Sequence, residues 1–233
     1  MCASPRVPFA LLLMLCTTGS SAHDYWLDDD GDGYLLYRGH RHSSHQGERI
    51  VPYDPAIIQR VTCVSAAGQT ERITPARVYP TRIPGPCAAL LVEADSGSWT
   101  QTLTGTTNQP RDEVFGALRS WHALEGVKRL ETWSPALRRS LGGGLELTPT
   151  SDPFRLRPGD KLRLVVTLQG RPYAGVTVAY DGEARGVTGD GGRINLRIRH
   201  TGTQVITASL DQPTPDSSAD KVVRSAALFF DLP

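Results

Sequence analysis

The sequence predicts an all-β protein: an antiparallel β-sandwich in the N-terminal region, then a second, small β-sandwich, with a short helix or two between them. Turn-forming residues are abundant, with 23 glycines and 17 prolines among 233 residues. Apolar residues mostly alternate with polar ones, which is the period of half-buried strands. Turn signals also recur at short intervals in the C-terminal third, with no helical segment between them, which is typical of a sandwich.

The first 22 residues are typical of a secretory signal peptide. Arg6 supplies the positive charge, residues 7–16 are an apolar run, and Ser20, Ser21 and Ala22 are small. We expect cleavage after Ala22 and export. The apolar run is shorter than the roughly 20 residues of a membrane span, and no later segment is long and apolar enough. Cys16 suggests a lipid anchor, but the bulky Leu15 before it argues against one.

About 210 residues remain after this cleavage, enough for one large domain or two of about a hundred residues. We predict a β-rich domain over 23–148 and a second sandwich over 149–233, because residues 148–159 have the proline content of a linker. The whole chain has 25 basic and 24 acidic residues, and the signal peptide removes only Arg6. The mature chain is therefore neutral, which argues against a nucleic acid or an anionic membrane surface as its partner.

The first predicted element of the mature chain is a hairpin. Residues 24–27 and 34–38 are rich in aromatic and aliphatic strand formers, and residues 28–33, DDDGDG, have turn chemistry. This turn also matches the start of a calcium-binding loop, D-x-D-x-D-G. The twelfth position of such a loop requires glutamate but is Gly39 here, so we interpret the segment as an acidic hairpin turn.

The middle of the chain is less regular. Residues 111–130 have apolar positions at helical spacing, although Gly116 and Gly126 weaken a helix there. Ser134 and Pro135 are typical of a helix start, and the three glycines at 142–144 would end that short helix. In this N-terminal region, residues 53–69 are predicted to be a loop and then a strand that ends at the turn at 67–69, and further short strands are predicted at 72–78 and 88–94.

The predicted C-terminal sandwich has clean alternation. Turns fall at residues 170–172, 181–182 and 189–192, and the last strand is expected at 223–232. One face holds the apolar residues Leu162, Leu164, Val166, Leu168, Val176, Val178, Ile194, Leu196, Ile198, Ile206, Ala208 and Leu210, whereas Arg193, Asn195, Arg197 and Arg199 point the other way.

Two cysteines, Cys63 and Cys87, remain after signal cleavage. In an oxidising compartment they predict one disulfide, which closes a loop of about 25 residues and stabilises the fold by about 3 kcal/mol. A thiolate metal site is the alternative. Both methionines, Met1 and Met14, leave with the signal peptide, which excludes a thioether site for Cu(I) in the mature chain.

Histidines cluster around the predicted hairpin. His23 begins the expected mature chain, and His40, His42 and His45 follow the second strand. If Leu27 pairs with Tyr34, His23 lies opposite Arg38, and His40 and His42 continue the same face. A free α-amine and several imidazoles would then lie within a few ångströms of one another.

Amine and imidazole nitrogens suit Ni(II), Co(II), Cu(II) and Zn(II). His23 would chelate through its amine and ring, His40 would be the third ligand, and His42 or His45 the fourth. Asp24 and His200 are weaker candidates, and His122 is interpreted as a packing or surface residue. The alternative is that residues 40–45 are a polar loop and that the terminal histidine is incidental.

Several separated stretches of the mature sequence form a recognisable set: HDYWL (23–27), GDGYLLYRGH (31–40), PYDPA (52–56), VKRLETWSPALRRSLGGGLELTP (127–149), LRPGDKLRLVV (156–166), GDGGRINLRI (189–198) and AALFFDL (226–232). In these stretches the sequence resembles a bacterial family, the NikK/CbiK-like periplasmic components of nickel and cobalt uptake systems. The resemblance covers almost the whole mature chain and implies an all-β periplasmic protein with an immunoglobulin- or transthyretin-like second domain. It places the family's histidine after the cleavage site on His23 and the Gly-His at the strand end on Gly39 and His40.

Together these observations predict a periplasmic protein that binds a divalent transition metal, nickel or cobalt with copper or zinc as alternatives, and that serves an envelope metal transporter. No motif for a nucleophile or a phosphate loop is present, so no enzymatic activity is expected. One alternative is a carbohydrate- or protein-binding sandwich, with Tyr25, Trp26, Tyr34 and Tyr37 as an exposed strip. A copper protein with an N-terminal histidine brace is the other.

Overall fold

The computed structural model describes residues 24–39, 50–214 and 216–233, with only the backbone of Asp24. Within these ranges the protein is nearly all β, as the sequence predicts, and its only helical segments are short 3₁₀ turns. None of them is long and apolar enough to cross a membrane. The strands are β1 (Asp24–Asp29), β2 (Gly33–Gly39), β3 (Ile58–Val64), β4 (Thr70–Ile73), β5 (Thr81–Pro84), β6 (Ala89–Gln101), β7 (Thr106–Thr107), β8 (Arg119–Leu130), β9 (Glu146–Pro149), β10 (Lys161–Leu168), β11 (Arg171–Pro172), β12 (Thr177–Tyr180), β13 (Glu183–Val187), β14 (Arg193–Arg197), β15 (Gly202–Pro213) and β16 (Lys221–Leu232).

The strands form three sheets. The largest has nine strands in the order β13-β12-β15-β16-β8-β6-β3-β4, with β7 added to β6. A three-stranded sheet has the order β1-β2-β5, and a four-stranded sheet pairs β10 with β9, β11 and β14. All pairings in the described residues are antiparallel except that of β16 with β8, which is parallel. The large sheet therefore contains strands from both sides of residue 148.

The two smaller sheets cover opposite faces of the large sheet. Side chains alternate across a strand, so neighbouring residues of β16 enter different cores. Leu228 and Phe230 pack with apolar side chains of the four-stranded sheet. Phe229 packs with Leu27, Leu36 and other side chains of the three-stranded sheet. Each core is a two-sheet sandwich, and the large sheet is shared by both.

The register of the first hairpin differs from the sequence prediction. Leu27 pairs with Leu36, two residues from the predicted partner Tyr34, and the last described pair is Asp24 with Gly39. The turn is shorter than predicted because the carboxylates of Asp29 and Asp30 accept hydrogen bonds from the backbone N–H groups of Gly31 and Asp32. Aspartates 28 and 29 therefore continue the strand. A shift by two residues keeps every side chain on its predicted face.

Residues 111–130 contain only one 3₁₀ turn, at Arg111–Glu113, and the prediction of a helix over this segment is wrong. Most of this segment is β8, which pairs along both edges, with β6 and with β16. Gly126 fits a strand here because its missing side chain allows the carbonyl oxygen of Leu145 to approach, at 3.3 Å from where a Cβ would lie. Strand pairing on both sides outweighs the helical spacing of the apolar residues.

The short helix predicted at Ser134 is a 3₁₀ turn over Pro135–Arg138, with proline in its first turn as expected. The C-terminal strands agree with the predicted alternation. Leu162, Leu164 and Val166 are buried, and Arg193 and Arg197 are exposed on the other face. The segment 148–159, predicted as a linker, includes the end of β9 and a 3₁₀ turn at Pro153–Arg155.

Candidate functional site

The predicted metal ligands His23, His40, His42 and His45 lie outside the described residues. The described chain ends on either side of them, at Asp24 in β1 and at Gly39 in β2. Within residues 24–39, 50–214 and 216–233, no group of three or more histidine, cysteine, aspartate or glutamate side chains is arranged to hold a metal ion. The described residues next to the predicted ligands in the sequence are therefore those at the end of the first hairpin, in β1 and β2.

The hairpin ends against the large sheet in an aromatic and charged cluster. Tyr25 lies opposite Arg38, and the Arg38 guanidinium carbon lies 5.9 Å from the centre of the Tyr25 ring and 5.2 Å from that of Trp99. Such distances are typical of cation–π contacts. Burial, with a smaller contribution from the negative charge of Glu125, raises the pKa of the Tyr25 hydroxyl. Burial therefore favours the un-ionised form of the Tyr25 hydroxyl.

The acidic turn at the other end of the hairpin is paired with a cation. Arg82 on β5 lies 3.0 Å from a carboxylate oxygen of Asp30 and 3.5 Å from one of Asp32. Asp29 and Asp30 already cap the turn. This arrangement confirms the acidic hairpin turn and gives its carboxylates a structural explanation.

His200, the weaker histidine candidate, has partners at both ring nitrogens. Its Nδ1 lies 2.7 Å from the carbonyl oxygen of Thr201, and its Nε2 lies 2.8 Å from the Asp181 carboxylate. The ring also stacks on Tyr180, with the centroids 5.9 Å apart. The hydrogen bond to the Thr201 carbonyl, then the one to Asp181, raises the pKa of His200 above its ordinary value of 6.5. These contacts stabilise the connection between β14 and β15.

We expect this histidine to make stability depend on pH. A raised folded-state pKa means that the contribution is complete below the unfolded-state pKa and is lost as pH rises through the folded-state pKa. The change His200→Asn should therefore lower the free energy of unfolding more at about pH 5.5 than at about pH 8.5. Urea titrations of both proteins at the two pH values test this, and an equal loss at both would contradict it.

His122, predicted to be a packing or surface residue, makes a cross-strand polar network. Its Nδ1 lies 3.2 Å from the Ser98 hydroxyl, and its Nε2 lies 2.8 Å from the Asp95 carboxylate. Ser98 is directly opposite His122 in the pairing of β6 with β8. Asp95 also accepts a hydrogen bond from the backbone N–H of Gly97, at the bulge of β6. The network ties this bulge to β8.

The glycines at 142–144 were predicted only to end a helix, but they bind two carboxylates. Glu146 accepts hydrogen bonds from the backbone N–H groups of Leu141 and Gly142. Glu93 accepts from those of Gly143 and Gly144, and it also pairs with Arg60. Successive backbone N–H groups of this kind form an anion-binding concavity. A run of three glycines was the sequence signal for it, because side chains would block this approach.

The predicted disulfide is present. Cys63 on β3 is bonded to Cys87, which precedes β6, and the two Cα atoms are 5.5 Å apart. Both residues pack in the core between the large and the three-stranded sheet. Their pairing confirms the disulfide interpretation over the thiolate metal site.

Comparison with known proteins gives one match. No curated protein and no solved structure matches the chain. A family model described as a domain of unknown function, DUF4198, matches residues 20–212. That span includes the first hairpin, the loop at residues 141–144, called the glycine loop below, and most of the C-terminal strands. The chain therefore belongs to the DUF4198 family.

Proposed function

We propose that the mature protein begins at His23 and binds one divalent transition-metal ion, nickel or cobalt, at the end of the first hairpin. His23 chelates through its α-amine and ring, His40 is the third ligand, and His42 or His45 is the fourth. Neutral nitrogen ligands of this type suit late first-row metals. The proposed role is binding and delivery, not catalysis.

The register of the first hairpin is the observation that supports this proposal. The last described pairs are Tyr25 with Arg38 and Asp24 with Gly39, and we propose that the same register continues to His23 and His40. Residues directly opposite each other in an antiparallel ladder have Cβ atoms about 5 Å apart. Two imidazoles at that separation fit a single metal ion, and the N-terminal amine of residue 23 is part of the same chelate.

Export is proposed together with the metal site, because a free amine on His23 requires cleavage after Ala22. The disulfide between Cys63 and Cys87 supports this, since such bonds persist in oxidising compartments. The resemblance to NikK/CbiK-like proteins supports a periplasmic location, the choice of nickel or cobalt, and an envelope transporter as the partner that receives the ion.

The alternative of an exposed aromatic strip has less support. Tyr25, Trp26 and Tyr34 are 5%, 2% and 4% exposed, so they belong to the core. The Tyr37 ring stacks on Trp26, with the centroids 5.7 Å apart. A glycan-binding surface would have to use other residues.

The decisive experiment is a titration of Ni(II), Co(II) and Cu(II) into protein that begins at His23, beside protein with Gly-Ser added before it. Tight binding that is lost on extension would show that the amine is a ligand. Equal binding by both would move the site to residues 40–45. Absence of binding in either protein would overturn the proposal.

We expect His40→Ala to weaken Ni(II) binding at least tenfold, or about 1.4 kcal/mol, because it removes the ligand opposite His23. His122→Ala is the matched control, since His122 is engaged with Ser98 and Asp95, and it should bind as the unaltered protein does. Binding should also weaken below about pH 7 as protons compete for the nitrogens. An unchanged affinity in His40→Ala would rule out this ligand assignment.

A further inference from the structure

Part of the large sheet is not covered by the four-stranded sheet. Along β16, Ala226, Leu228 and Phe230 are buried on the face that packs on the four-stranded sheet. Arg224 lies on the same face one step earlier, since side chains alternate, and it is half-buried. Arg60 on β3 continues that face at the other side of the sheet. On this face of the large sheet, the buried apolar side chains are therefore followed by the guanidinium groups of Arg224 and Arg60.

A pocket of about 360 Å³ lies beside Arg60 and Arg224 on this face of the large sheet. Its lining includes three arginines, Arg60, Arg72 and Arg224, together with the acidic Glu93 and the apolar Leu124. The glycine loop forms one wall through Gly143 and Gly144. This volume is in the usual range for pockets that bind small molecules, roughly 300–1,000 Å³.

The pocket has an excess of positive charge. The Glu93 carboxylate is already bound by Arg60 and by two backbone N–H groups of the glycine loop. Glu125 contributes to the lining, but its side chain points to the opposite face, where its charge acts on Tyr25. Among the described residues, no carboxylate in the pocket therefore balances the charges of Arg72 and Arg224.

The described partners of these two arginines are neutral. Arg72 donates to the backbone oxygen of Gln59 at 3.3 Å. Arg224 donates through Nε to the side-chain oxygen of Gln212 at 2.9 Å. No carboxylate of the described residues forms an ion pair with either guanidinium, although ion pairs occur throughout the rest of that region. Both retain N–H donors for a ligand.

The position of Arg224 makes a purely structural role costly. It lies on β16, between β15 and β8, with Leu210 and Leu124 directly opposite it. A half-buried cation between two leucines loses hydration without gaining a counter-charge. A bound anion would offset that cost, because guanidinium groups hold carboxylates and phosphates through paired hydrogen bonds.

We propose that this pocket binds a small organic polyanion whose acidic groups are carboxylates or phosphates. Arg72 and Arg224 line the pocket from strands four positions apart in the sheet, so a ligand that contacts both arginines carries at least two acidic groups. Leu124 contacts the apolar part of the ligand. The ion pair of Arg60 with Glu93 forms the wall of the pocket between Arg72 and Arg224. This site is separate from the proposed metal site and does not depend on it.

Isothermal titration of metal-free protein with citrate and, in parallel, with pyrophosphate tests the proposal. We expect saturable binding of at least one of them, weakened at least tenfold by Arg224→Gln and by Arg72→Gln. Arg171→Gln is the matched control, because Arg171 is exposed on β11 of the four-stranded sheet and lines no part of this pocket, and it should bind normally. Thermal unfolding checks that each variant is folded. If Arg224→Gln does not fold, the affinity of Arg72→Gln alone tests the proposal.

The two probes also separate the ligand classes. Binding of citrate alone identifies carboxylates, binding of pyrophosphate alone identifies phosphates, and binding of both supports a general polyanion site. The absence of saturable binding of either at about millimolar concentration would overturn the proposal. An equal loss of affinity in Arg171→Gln would also overturn it, because the binding would then not depend on the arginines of this pocket.

Discussion

Replacing Lys128 with alanine is expected to lower the free energy of unfolding by about 3–5 kcal/mol, because it leaves a buried carboxylate without its cation. Lys128 and Glu146 form an ion pair in which both side chains are 2% exposed. The Lys128 ammonium also lies 3.3 Å from the Thr148 hydroxyl. For a domain of this size, the melting temperature should fall by roughly 6–20 °C.

The matched control for this change is Lys221→Ala. Lys221 also pairs with a carboxylate, Asp211, but the two side chains are 45% and 52% exposed. Exposed pairs of this kind typically contribute less than about 1 kcal/mol. Urea unfolding of both variants measures the difference. A loss below about 1 kcal/mol for Lys128→Ala would mean that water reaches Glu146 and that the pair is not buried in solution.

Removing the disulfide should have the second largest effect. The double change Cys63→Ala with Cys87→Ala opens a bridge between residues 24 apart and is expected to lower the free energy of unfolding by about 3 kcal/mol. The main cause is the larger conformational entropy of the unfolded chain. Alanine avoids placing hydroxyl groups in the core where both cysteines pack.

A reductant provides the control for the disulfide. Wild-type protein unfolded in urea with dithiothreitol should lose about as much stability as the double variant, whereas the double variant should not respond to dithiothreitol. Equal urea midpoints for the oxidised wild type and the double variant would contradict the prediction. A response of the double variant to dithiothreitol would show that the reductant acts elsewhere.

The local alternation of apolar and polar residues was sufficient to predict most of the strands. The alternation of Leu162, Leu164 and Val166 identified the buried face of β10, which is confirmed by their burial. The turn at 28–33 was recognised from its aspartates and glycines, but its register was not. Register depends on which aspartate side chains cap the turn, and composition alone does not determine this.

Long-range features were not predictable from the sequence. Nothing local indicates that β16 pairs in parallel with β8, since Lys221 and its partner Trp121 are a hundred residues apart. The buried ion pair of Lys128 with Glu146 could not be predicted for a similar reason, because its two residues lie on different strands. Once β8 is known to be a strand, Lys128 shares a face with Leu130, which is the one sequence signal of a buried cation. The arginine pocket likewise forms from residues on separate strands.

The position of the last strand has a consequence for the order of assembly. β16 lies between β15 and β8, in the interior of the nine-stranded sheet. During synthesis, the strands on its two sides are complete before the strand that joins them exists. Until β16 is added, β15 and β8 therefore each have an unpaired edge, and such edges are prone to pairing with other chains. Folding that depends on such distant contacts is slow, and the last twelve residues of this sheet close it.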